Sequence, residues 1–313
     1  MRIRNRKVFM AENTEKDTEL IDPKVVAQLA AQPLVARFAM EGSVSGMHRS
    51  PHRGSSVEFA EYRQYVPGDD LRRLDWRVLG RTDRYYLKEF EAETNLRCYF
   101  VLDCSGSMNF KSGETSKLDY AVKMIAHLAY QIIRQGDAAG LVTVGSKIIT
   151  ELPPKRTPSH LQLMMNLLKE VKGKGETGLP ETLHELAEKA KRRALVIIFS
   201  DCFTDIEPLM SGLQHLRFQK HDVALFHMLD RQEVDFDFDR PIRFADLESS
   251  FSMVTEPAMV RDAYLDQFRQ FQSALQKGCH ECNSDYREVM TTQPFDKVLA
   301  DFLIDRAKAM AFR

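Results

Sequence analysis

Neither sign of charge dominates this sequence. Lys and Arg number 44 and Asp and Glu 45, a formal net charge of −1. Gripping nucleic acid by its phosphates needs a basic excess or a basic stripe, so that class loses its main support. Long apolar runs are missing too. None approaches the ~20 residues that cross a bilayer, and no membrane insertion is expected. The start, MRIRNRKVFMAENTEKD, is basic but leads into no apolar stretch, so it does not read as a secretory signal. Cysteine is scarce. Five in 313 residues do not make a disulfide framework, and a reducing cytoplasm is the simplest compartment. Cys279 and Cys282 have zinc-like spacing, but no second C-x-x-C completes a site. They read as ordinary thiols at a helix end.

What is present is a core and a pattern. Hydrophobic residues make up 43% of the chain, enough to bury the interior of a large domain. Residues 1–20 read as a polar tail. In DPKVVAQLAAQPLVARFAM, Asp22 can cap a helix, Pro23 suits its first turn, and Pro33 stops it. RYYLKEFEAE reads as a strand. From Leu96 onward, apolar runs alternate with helical stripes. LRCYFVLD, AAGLVTVG, SKIITEL, ALVIIFSD, DVALFHML and DYREVMTT read as strands, and amphipathic helices intervene. EVDFDFDRPIRF alternates acidic and apolar residues and reads as a strand or extended edge with a solvated acidic face. Strands separated by helices predict an α/β fold with a doubly wound, mostly parallel sheet. An N-terminal segment, 21–94, would pack on the domain formed by 95–313.

Such sheets bind ligands beyond the carboxyl ends of their strands. Asp103 ends one apolar run and Asp201 another. Ser105 and Ser107 follow the first, and Thr177 lies in the Gly-rich GKGETG ahead of a helix. Carboxylates and hydroxyls are hard oxygen donors that suit magnesium or manganese more than zinc. The plain alternative is that these side chains only cap turns and helices. Cys104 and Cys202, directly after the two aspartates, would lie within disulfide reach if their strand ends were neighbours.

The order Asp103-x-Ser105-x-Ser107, then Thr177, then Asp201 resembles the metal-ion-dependent adhesion site of von Willebrand factor A-type domains. The resemblance implies a Rossmann-like fold for residues 95–313. It also implies direct metal ligation by Ser105 and Ser107, ligation by Thr177 directly or through water, and by Asp103 and Asp201 mainly through water.

A second resemblance lies upstream. Glu58-Phe59, Arg63-x-Tyr65, Gly68-Asp69-Asp70-x-Arg72 and Asp75-Trp76, followed later by PIRFADLESS and DYREVMTTQPF, are similar to the bacterial domain of unknown function 58. Gly80 stands where that family more often has Ala, a mild departure. Between Glu58 and Glu91, seven basic and eight acidic residues interleave, which favours ion pairs over a phosphate-binding surface. Trp76, the single tryptophan, reads as an anchor of this segment or as an interface hot spot. The family resemblance implies an adaptor or assembly factor working with a MoxR-type AAA+ ATPase and a client protein. Neutral hydroxyl ligands would leave most of the cation's charge uncancelled, so a partner is expected to dock on it through an acidic residue. No G-x-x-x-x-G-K-[ST] loop is present, so ATP chemistry would belong to the partner. The competing reading is a magnesium-dependent hydrolase or phosphatase. Haloacid dehalogenase-type phosphotransferases place a second Asp two positions after the first, where this chain has Ser105.

Overall fold

The structure is a computed structural model. It describes residues 20–37, 96–238 and 256–309 in full. It also describes residues 78, 80, 81 and 85, and the backbone of 48–49, 58–64, 86–91, 93–94, 242–245, 252–255 and 310–311. Trp76 lies outside the described residues.

Asp22 caps the first helix, its carboxylate accepting from Lys24 N–H at 2.8 Å, and Pro23 opens it. This helix, α1 (Pro23–Leu29), ends before Pro33. Short strands follow: β1 (His48–Arg49), β2 (Glu58–Gln64), β3 (Tyr86–Glu91) and β4 (Glu93–Thr94), with β1 antiparallel to β4 and β2 to β3.

The main sheet begins with β5 (Arg97–Asp103), which leads through α2 (Lys117–Arg134) to β6 (Ala138–Val144) and β7 (Ile148–Lys155). Helices α3 (Pro158–Glu170) and α4 (Leu179–Lys189) lead to β8 (Leu195–Ser200), and α5 (Ile206–Phe218) leads to β9 (Asp222–Leu229). Then come α6 (Arg231–Asp235), an antiparallel hairpin of β10 (Ile242–Ala245) and β11 (Ser252–Thr255), α7 (Pro257–Glu281), β12 (Asp285–Met290) and α8 (Phe295–Ala311). The six strands lie in the order β12-β9-β8-β5-β6-β7. All neighbours are parallel except β6 and β7. The α/β expectation holds: a mostly parallel sheet with helices on both faces, against which residues 20–37 pack.

Composition explains the ordering. Every residue of β8 and β9 is buried, because helices cover both faces of these central strands. β7 alternates half-buried and exposed residues and carries Pro153 and Pro154, which cannot donate to a ladder and suit an edge. Along β5, Cys98, Phe100 and Leu102 enter one core, and Val101 the other. EVDFDFDRPIRF meets the expectation at its end, where residues 242–244 lie in β10, and departs from it at its start. Glu233, Val234 and Asp235 are the last residues of α6, which opens on a reciprocal pair in which the Asp230 carboxylate caps the helix and the Glu233 carboxylate accepts from Asp230 N–H at 2.9 Å. Local capping overrides the alternating pattern there.

Residues 35–37 dock at the amino ends of the strands. Asp222 and Asp285 open β9 and β12, and the buried Arg306 of α8 pairs with both. The same guanidinium donates to the Val35 carbonyl at 2.8 Å, Arg37 N–H donates to Asp222 at 2.7 Å, and the Arg37 side chain pairs with Asp285. Breaking one partner of so buried a network typically costs about 3–5 kcal/mol. A second clasp comes from α2. Asp22 N–H donates to His127 Nε2 at 2.9 Å, and Nδ1 faces the Lys123 carbonyl at 2.7 Å.

Burial holds His127 below its ordinary value of 6.5, against the raising effect of its backbone hydrogen bonds and Asp22. A histidine depressed in the folded state contributes stability that is present above the unfolded value and is lost as pH falls through it. Acidifying from about pH 7.5 to about pH 5.5 should therefore raise amide exchange at Lys24 and Val26, corrected for intrinsic rate, before that of β8. Unchanged protection at both positions would contradict the clasp.

Candidate metal centre

The chain runs outward from β5 through β6 to β7, then returns to place β8 on the other side of β5. The order reverses between β5 and β8, which is where loops diverge and open a crevice at the strands' carboxyl ends. Asp103 is the last residue of β5, and Asp201 directly follows β8. Both are fully buried.

Asp103 is the hub. Its Oδ1 accepts from the backbone N–H of Ser105 at 2.9 Å. Its Oδ2 accepts from the Ser200 hydroxyl at 2.6 Å and from the Thr177 hydroxyl at 3.1 Å. The Ser105 and Ser107 hydroxyls lie 3.1 Å apart. Burial first, and then the Asp201 charge, push the Asp103 carboxyl up to about 6, against the lowering effect of the Ser200 and Ser105 hydrogen bonds.

Two glycines let the Thr177 loop approach. A Cβ on Gly173 would sit 2.6 Å from the Asn109 side chain and 2.7 Å from the Ser105 carbonyl. One on Gly178 would sit 2.3 Å from the Ser146 carbonyl. Backbone hydrogen bonds complete the seam: Gly106 N–H to the Gly175 carbonyl at 2.7 Å, Lys174 N–H to Cys104 at 2.8 Å, and Gly178 N–H to Gly145 at 2.6 Å.

Asp201 is held differently. Its Oδ2 accepts from the Lys117 ammonium at 2.7 Å, and its Oδ1 from Phe203 N–H at 3.4 Å. His227 faces the Asp201 carbonyl through Nε2 at 3.1 Å and the Tyr286 hydroxyl through Nδ1 at 2.7 Å. Burial lowers this histidine to about 4, against the Asp201 charge, so the ring is neutral near pH 7. Cys202 has a left-handed φ of 57°, a tight turn that carries the chain away from the sheet just after Asp201.

Among the described residues, no group of three or more His, Cys, Asp or Glu side chains is placed to hold a metal. A divalent cation at this rim would therefore depend on the Ser105, Ser107 and Thr177 hydroxyls beside the two carboxylates. Hydroxyl and carboxylate oxygens are the donors magnesium and manganese prefer.

A family model described as "Protein of unknown function DUF58" matches residues 61–274. The chain belongs to the DUF58 family. This DUF58 chain is 27% identical over 220 residues to the uncharacterized protein Rv1480 of Mycobacterium tuberculosis, covering 69% of each. Among solved structures it is similar to the conserved hypothetical protein BatB of Bacteroides thetaiotaomicron, with a TM-score of 0.48, 14% identity, and coverage of 68% of this chain and 100% of that one. An aerotolerance-related membrane protein of Bacteroides fragilis compares at a TM-score of 0.47 and 17% identity, covering 67% and 100%.

Three residues of the DUF58 site escaped the sequence reading. Ser200 is the one hydroxyl in a strand that is otherwise apolar. Lys117 follows the N-cap Ser116 in the first turn of α2, where the helix dipole disfavours a cation, so its position was itself a signal. Glu233 was hidden in the misread acidic stretch. The Cys104–Cys202 expectation is corrected. All five cysteines are free and buried. Cys104 enters the core with Phe100 and Leu102, and Cys202 enters the opposite core beside Val196 and Ile198. Register explains this: Leu102 pairs with Phe199, so Cys104 aligns one residue short of Cys202 and faces the other side. Cys279 and Cys282 are free thiols at the end of α7, as expected.

Removing the Ser200 hydroxyl strips the buried Asp103 carboxylate of its shortest hydrogen bond. Ser200→Ala should lose about 1–3 kcal/mol in denaturant unfolding with chelator present. A loss under about 0.5 kcal/mol would mean Asp103 is satisfied some other way.

Proposed function

We propose that this DUF58 protein is a metal-dependent protein-docking module. In this reading Asp103, Ser105, Ser107, Thr177 and Asp201 hold a magnesium or manganese ion at the rim of a von Willebrand factor A-type domain. One observation carries it: the Thr177 hydroxyl and the Ser105 N–H both donate to the buried Asp103 carboxylate, and the Ser105 and Ser107 hydroxyls lie 3.1 Å apart in the same loop, where the strand order reverses between β5 and β8.

Ser105 and Ser107 would ligate through neutral oxygens, and Thr177 directly or through water. Asp103 and Asp201 would act mainly through water. A cation in such a shell keeps most of its charge and offers Lewis-acid attraction to one external carboxylate. The chain's own residues fix the hydroxyls and exclude bulk water from the two aspartates. The partner would present an Asp or Glu. By resemblance to its family, the protein would serve as an adaptor or assembly factor between a MoxR-type AAA+ ATPase and a client protein. With no phosphate-binding loop in this sequence, ATP turnover would rest with that partner. A reducing cytoplasm remains the expected compartment.

Hydrolysis gains no support from the site. The Ser105 hydroxyl faces Ser107, and the nearby His227 is turned toward the Asp201 carbonyl and Tyr286. General-base activation of a nucleophile needs those groups in hydrogen-bond reach of one another.

Titration with Mn2+ followed by electron paramagnetic resonance should show one bound ion. Ser105→Ala and Ser107→Ala should each weaken it by at least about tenfold, the loss that even outer-sphere changes produce. Retention of a native-like pulldown from cell extract in excess chelator, or equal Mn2+ affinity in the serine variants, would sink the reading.

A further inference from the structure

Lys117 is an unusual charge among the described residues. It is fully buried, and its ammonium reaches Asp201 at 2.7 Å and Glu233 at 2.5 Å. The Phe203 ring lies 5.0 Å from the ammonium and the Phe110 ring 5.9 Å. Taking an ammonium out of water costs several kcal/mol unless it is paired, so its place must be fixed by those two carboxylates and the two ring faces. A lysine needed only to fill space would not be set in the first turn of a helix, against the dipole.

The three partners come from separate elements. Lys117 opens α2, Asp201 follows β8, and Glu233 sits in α6. Glu233 is held in turn, because its carboxylate accepts from Asp230 N–H and its carbonyl accepts from the Tyr264 hydroxyl at 2.9 Å. Asp230 accepts from Ser112 N–H at 2.9 Å and from the Thr291 hydroxyl at 3.2 Å. The ammonium is thus seated rigidly against one oxygen of a carboxylate in the candidate metal centre.

We propose that Lys117 sets the charge of that centre. It cancels the Asp201 charge and occupies Asp201 Oδ2, so a bound cation is held more weakly by the protein and more strongly open to an outside carboxylate. This rests on the docking reading above and adds to it a positioning residue. Glu233 tunes the effect, because it shares the ammonium.

The two variants have opposite expected signs. Lys117→Met leaves Asp201 uncompensated and should tighten Mn2+ binding by about tenfold or more, since a unit charge a few ångströms away acts strongly in a partly buried site. Glu233→Gln gives Lys117 wholly to Asp201, adds net positive charge and should weaken Mn2+ binding by about threefold or more. Mn2+ should also raise the melting temperature of Lys117→Met more than that of the wild type, because Mn2+ replaces the lost cation. A merely structural lysine predicts weaker Mn2+ binding in both variants, and that pattern overturns the proposal, as does unchanged affinity in both. Should Lys117→Met fail to fold even with Mn2+, Lys117→Gln takes its place with the same expected tightening; equal or weaker binding there, or equal or tighter binding in Glu233→Gln, overturns the proposal. Absence of a single Mn2+ site in the wild type overturns the docking reading itself, and this inference with it.

Discussion

One buried carboxylate organises the rim of this protein. Asp103 is fully buried, so its carboxylate oxygens draw hydrogen-bond donors from the chain. Ser200 supplies one from the neighbouring strand, Ser105 one from the loop that follows, and Thr177 one from a loop far along the sequence. The Thr177 loop can come that close only because Gly173 and Gly178 carry no side chain where Ser105, Asn109 and Ser146 press against them. Hydrogen bonding, glycine placement and sheet topology therefore specify the same convergence of oxygens.

Around it the charges are arranged in two ends. At the amino ends of the strands, Arg306 with Asp222 and Asp285 ties Val35 and Arg37 to the sheet. At the carboxyl ends, Lys117 sits between Asp201 and Glu233. Both are buried and multiply paired, the only form in which buried ions are tolerable. Their roles differ. The first network is remote from the crevice and fixes how the chain folds back on itself. The second touches the group of residues on which the docking account rests, and it makes the local charge a property of three elements at once.

Much of this was legible in the sequence. Continuous apolar runs with turn signals between them announced the strands, and the strand-end positions of Asp103 and Asp201 followed from where those runs stop. Loop residues as separate as Ser105 and Thr177 could be grouped because their order resembles a known family pattern. The illegible parts share a cause. Lys117 and Asp201 lie 84 positions apart, and so do Arg306 and Asp222, and no local period reports such pairings. Asp230 and Glu233 lie three apart, yet the acidic alternation around them was read as a strand when the reciprocal helix cap decides the conformation. The two cysteines after the aspartates looked adjacent until the β5–β8 register put them on opposite faces.

The most direct test of the central claim is anomalous diffraction from crystals grown with Mn2+. The account predicts one strong manganese peak at the carboxyl ends of β5 and β8, in contact with the Ser105 and Ser107 hydroxyls, with Lys117 still paired to Asp201. A manganese peak elsewhere on the protein, or none at this rim at saturating Mn2+, would contradict it.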